Sequence, residues 1–175
     1  MKRTFLCTSL LILLLPAFAS AGDSAEERRR QAGHPATTEG QLRELAKDSV
    51  WQVRQAVARN RRAPKDLLDA LAGDAHPQVR IAVATNLATA KDTFNKLARD
   101  RIETVRSVVA RFEYVPAEAL DLLSKDSSDA IRLEVARNPN TVRATLERMT
   151  KDEVAAIANL AQQRLEADAA PDHGD

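Results

Sequence analysis

The sequence predicts an all-α protein, built as an α-solenoid of about five helix–turn–helix repeats of 26 residues each. Composition is the first reason: aromatic residues are only 3% while Ala, Leu, Val and Arg dominate, which suits close-packed helical layers and not a β-sandwich. The second is a recurring block. Leu45-Ala46-Lys47-Asp48 returns as Leu71-Ala72-Gly73-Asp74, Leu97-Ala98-Arg99-Asp100, Leu123-Ser124-Lys125-Asp126 and Met149-Thr150-Lys151-Asp152, always 26 residues on and without an insertion. The third is the periodicity inside a copy, where Leu68, Leu71 and Ala72 mark one helical stripe and Val79, Ala82, Val83 and Asn86 a second. A two-helix unit of this size cannot bury its own stripe, so the copies must stack and share one core.

Residues 1–21 read as a secretory signal peptide. Lys2 and Arg3 precede the apolar run Leu10 to Leu15, and small residues follow at Ala17, Ala19 and Ala21. The run is far shorter than the roughly 20 residues that span a bilayer. Cys7 stands ahead of that run, so it cannot become a lipidated N-terminus, and cleavage leaves an exported, periplasmic chain with no disulfide and no thiol chemistry. Loss of Lys2 and Arg3 takes the 26 basic side chains to 24 against 25 acidic ones, which gives no electrostatic footprint for nucleic acid or anionic membrane. Residues 22–38 hold Glu26 to Arg30 and almost no large apolar side chain, and are expected to form a flexible polar leader.

The solenoid itself is expected over residues 39–168. Thr38 and Gln41 have the spacing of a capping box that starts the first helix at Glu39. Pro64 and Pro116 stand where later first helices begin, at a position that needs no N–H. Residues 152–169 lose the recurring Arg and Asn and lengthen into a polar-backed terminal helix, followed by a polar tail over 169–175.

The motif Asp-x-x-x-x-Val-Arg-x-x-Val-Ala-x-Asn, followed by a Pro-x-x-Leu-Leu-like helix and best seen around Ala136-Arg137-Asn138-Pro139-Asn140-Thr141, resembles the leucine-rich repeat variant family. That family is similar in appearance to HEAT repeats. The resemblance covers residues 39 to about 168 and implies right-handed stacking of helix pairs and, by analogy of fold alone, a protein-binding role. The period is longer than the family's usual unit. The cysteine cluster that holds an iron–sulfur centre in one member is absent, so no cofactor is implied.

Asp48, Asp74, Asp100 and Asp126 fall in the turns between helices, and Arg54, Arg80, Arg106 and Arg132 recur six residues later. A carboxylate in such a turn caps the following helix and a guanidinium pairs with a neighbouring repeat's Asp, so these residues are expected to form a structural ladder. Asn60, Asn86 and Asn138 are expected to close the second helices in the left-handed conformation. With Val53 and Val57 inward, a 100° step puts Trp51, Gln55 and Arg59 on the far side, with Ile81, Arg111, Leu133 and Arg137 at the related positions. These seven are the candidate protein-binding residues, because Trp and Arg are enriched at binding hot spots.

Catalytic chemistry is not visible in the sequence. His34, His76 and His173 are scattered, and neither a nucleophile elbow nor a phosphate-cradling glycine loop occurs. The expected function is therefore that of an exported, non-enzymatic, monomeric repeat protein that binds a protein partner in the bacterial envelope. The competing expectations are an inhibitor or toxin-neutralising protein of an envelope enzyme, and an exported enzyme or accessory with a surface site.

Overall fold

The computed structural model describes residues 24–169. Eleven helices and no strand succeed one another among the described residues: α1 Ala25–Gly33, α2 Glu39–Leu45, α3 Trp51–Arg59, α4 Lys65–Leu71, α5 Pro77–Ala84, α6 Lys91–Leu97, α7 Glu103–Arg111, α8 Ala117–Leu123, α9 Asp129–Arg137, α10 Arg143–Met149 and α11 Ala155–Ala169. The even-numbered helices are the first helices of the repeats and the odd-numbered ones the second. Each odd-numbered helix packs on the next odd-numbered one along the chain, so the second helices form a continuous row, α1 to α11.

The valines that recur at 26-residue spacing line that row: Val53, Val57, Val79, Val83, Val105, Val109 and Val135 are completely buried. The first helices meet them with Leu42, Leu68, Leu97, Leu120 and Leu146. Apolar stripes three and four residues apart explain why each short segment is helical only in the stack, since a seven-residue helix such as α4 has no stability of its own.

Helix starts follow local chemistry. Thr38 and Gln41 form the capping box, with Gln41 N–H donating to Thr38 Oγ1 at 3.4 Å and Thr38 N–H donating to Gln41 Oε1 at 2.9 Å. Pro64 and Pro116 occupy the N-cap, one residue before the first helical position, with φ of −70° and −66°, the value their rings impose.

The leader expected over residues 22–38 is corrected in its described part. α1 is the first of the second helices among the described residues: it packs on α3, buries Ala32 completely, and joins the same ladders as the later copies. Its apolar stripe is reduced to alanine, which carries no hydrophobic signal in the sequence yet suffices because α3 lies against it. At the other end α11 is longer, at 15 residues, and buries Ile157, Ala161 and Leu165 while exposing Asn159, Gln162 and Gln163, as a terminal cap requires. The expected signal peptide and the tail beyond Ala169 lie outside the described residues. No helix among the described residues is long and apolar enough to cross a membrane.

Candidate functional site

The most regular chemistry in the molecule is a ladder of Arg–Asp pairs. Arg54, Arg80, Arg106 and Arg132 each present Nε and Nη2 to the two carboxylate oxygens of the Asp twenty residues on, Asp74, Asp100, Asp126 and Asp152, at 2.5–3.1 Å. Nη1 donates to the carbonyl of the Asp six residues earlier, as Arg80 does to Asp74 at 2.7 Å. Each guanidinium thus ties its own turn to the next repeat through a planar fork that lysine could not supply.

Two rungs fall outside the expected set. Arg28 of α1 pairs with Asp48, and Asp152 receives Arg132. The carboxylates do not cap the next helix in the expected way, because Oδ1 accepts from the backbone N–H two residues on, at Val50, His76, Ile102 and Ser128. Those four are themselves N-cap residues, so the Asp closes an Asx turn that leads into the helix.

Burial pushes the carboxyls of Asp74, Asp100 and Asp126 up, but the arginine hydrogen bond and the turn N–H outweigh it and leave all three below the ordinary carboxylate range. In Asp48 and Asp152 the arginine hydrogen bond is the dominant cause of the same downward shift. A group held below its unfolded value stabilises the fold above that value and loses the contribution as pH falls through the folded one. The melting temperature is therefore expected to hold steady near neutrality and to drop steeply as pH falls below about 4. A pH series of circular dichroism melts checks this, and a flat profile through that range would contradict it.

A second ladder runs through the turns after the second helices. Asn60 Nδ2 donates to the Ala32 and His34 carbonyls at 2.7 and 3.1 Å, Asn86 repeats this on Ala58 and Asn60, and Asn138 on Ala110 and Phe112. The left-handed conformation expected for these residues is not adopted at Asn60 or Asn138. Asn60 and Asn138 are extended, with φ of −69° and −68°, because the side chain reaches back to the preceding repeat instead of closing its own helix. Arg164 takes the same role on Ala136 and Asn138 in the last copy. Asn86→Ala removes both donors from a buried site and is expected to cost about 1–3 kcal/mol, read as a lowered melting temperature.

Phe112 interrupts this ladder. It stacks on Phe94 with ring centroids 5.8 Å apart and meets Tyr114 edge-on at 5.8 Å, so an aromatic cluster takes the place of the amide rung.

The seven candidate binding residues do not share one exposed face. Trp51 is half-buried and stacks on His76, with ring centroids 3.9 Å apart and planes 3° from parallel. Ile81 and Leu133 are also half-buried against the core, because position 81 and its equivalents lie between adjacent second helices. Gln55 is half-buried there too and donates to the Gln78 carbonyl at 3.3 Å. Arg59, Arg111 and Arg137 are exposed at the C-terminal ends of α3, α7 and α9, where a cation also suits the helix dipole. Arg137 lies 3.6 Å from Glu134, whereas Arg59 and Arg111 have no ion pair among the described residues. Among the described residues the large exposed apolar side chains are Leu87, Ile102, Tyr114 and Val142, none of which helical phase could nominate, since all four sit in loops or at helix starts.

The clefts in the surface are open. One runs between α1 and α2 past Glu27, His34 and Gln41, with His34 Nδ1 accepting the Ala36 N–H at 3.1 Å. Another lies between α1 and α3, lined by Arg30, Gln55 and Arg59. Among the described residues no group of three or more His, Cys, Asp or Glu is placed to hold a metal ion.

Residues 26–87 match the Leucine Rich Repeat Variant domain. The match begins inside α1, so residues 26–38 of the segment expected as a leader lie within the repeat domain, and the 26-residue step carries the same helical stack onward to α11. No curated protein matches the chain.

Proposed function

We propose that this chain, whose residues 26–87 form a leucine-rich repeat variant domain, is an exported, non-enzymatic protein of the bacterial envelope that binds another protein. Its signal-peptide-like start supports export. The observation that carries the binding reading is how the charges are used. The recurring Arg54, Arg80, Arg106 and Arg132 and their aspartates are consumed in holding repeats together, and the recurring Asn in doing the same. Outside these ladders, the described surface includes an edge of loops bearing arginines and isolated apolar side chains, the residue types by which stable interfaces are anchored.

Affinity capture from an envelope extract, followed by titration of the recovered protein in purified form against the exported chain, tests the reading. A saturable one-to-one complex is expected. Failure of every recovered protein to bind when purified would overturn it.

A further inference from the structure

The loops that follow the second helices form one edge of the stack, and its chemistry changes along its length. Arg59, Arg61 and Arg62 crowd the end of α3 and the loop that follows it, and all three are exposed. Arg62 donates to the Pro35 carbonyl at 3.4 Å, while Arg59 and Arg61 have no ion pair among the described residues. One repeat on, Leu87 stands 64% exposed, and a further repeat on, Tyr114 is 63% exposed beside Phe112. Elsewhere Arg29 is matched by Glu26, Arg30 by Glu27, Arg143 by Glu147 and Arg148 by Asp121, while Arg99 and Arg101, beside Ile102 on the opposite edge, carry no ion pair among the described residues. On the edge that follows the second helices, free cations and uncovered large apolar side chains coincide.

We infer that this edge is a docking strip for an extended segment of a partner protein, one whose carboxylates lie over Arg59, Arg61 and Arg62 and whose apolar side chains lie over Leu87 and Tyr114. The inference rests on the protein-binding reading and names the partner's chemistry. Neighbouring helices in a stack are about 8–10 Å apart, so two repeats separate the cationic loop from Tyr114 by roughly 16–20 Å. An extended chain covers that in about five or six residues. The required pattern is an acidic cluster followed or preceded at that distance by leucine or aromatic residues. A phosphate polymer or a lipid headgroup could use the arginines but has no use for Leu87, which is why a protein segment is the occupant favoured.

The test is fluorescence anisotropy of the exported chain with a labelled peptide in which an aspartate run lies about five residues from a leucine pair. Its asparagine counterpart, vesicles containing phosphatidylglycerol and a single-stranded oligonucleotide serve as rival ligands. The acidic peptide is expected to bind best. Arg61→Glu/Arg62→Glu should weaken it by about tenfold or more, and Leu87→Ser, which leaves the charges untouched, by a few-fold. Both substitutions are on exposed loop positions, and unchanged melting curves confirm that the fold persists. Equal binding of the acidic and neutral peptides, or loss of vesicle or oligonucleotide binding alone in these variants, would overturn the inference. A natural partner bound equally by wild type and Arg61→Glu/Arg62→Glu would overturn the strip and leave the binding reading standing. If no partner is found, that reading fails and the peptide titration still decides the strip.

Discussion

Val83→Asp and Val109→Asp are expected to melt far below the wild-type protein, or not to fold at all. Both valines are completely buried in the central second helices α5 and α7. A carboxylate there meets neither water nor a positive partner, and even after relaxation it costs several kcal/mol out of the roughly 5–15 kcal/mol that a domain possesses. Gln78→Asp, on the exposed side of α5, should change stability by less than about 0.5 kcal/mol. Gln55→Asp is a less clean control, since it also loses the contact with the Gln78 carbonyl. Circular dichroism melts compare them directly, and valine variants that melt like wild type would mean that the helical phase is wrong.

The second large effect is expected at the middle of the Arg–Asp ladder. Arg80 and Asp100 have side chains only 6% and 7% exposed. Arg80→Ala leaves Asp100 buried with the Ile102 N–H as its remaining partner, a loss of about 3–5 kcal/mol. The double replacement Arg80→Met/Asp100→Leu removes both charges and their desolvation together, and should recover most of that loss. Arg28→Ala, at the end rung where the arginine is 31% exposed, should do less harm, because an end repeat has one neighbour and an interior one has two. Equal damage from Arg28→Ala and Arg80→Ala would show that the rungs do not act as nearest-neighbour contacts.

The stack was legible in the sequence because its period has no insertion, so the aspartates, arginines and valines each fall into register by counting. α1 escaped because register and hydrophobicity part company there. Glu27 and Gln31 stand where Val53 and Val57 stand one repeat later, and only Arg28 and Ala32 keep their types. Counting 26 residues back from Arg54 and Ala58 would have found both. The direction of the asparagine side chains was not legible, since a helix-ending Asn has the same sequence signature whether it closes its own helix or reaches to the repeat before. The candidate surface was misplaced for a related reason. A 100° projection treats a second helix as having one buried face, but each interior one is flanked by two others, and Ile81 and Leu133 belong to those flanks. Exposed Leu87 and Tyr114 lie in loops, where no periodicity applies.

Native-state hydrogen exchange measures most directly whether one continuous stack runs from α1 to α11. Amides in α5 and α7 are expected to exchange slowest, with protection declining in steps toward both ends and still measurable in α1 through its contacts with α3, Asp48 and Asn60. Amides of Glu27 to Gly33 exchanging at the rate of an unstructured chain, while α3 stays fully protected, would contradict it.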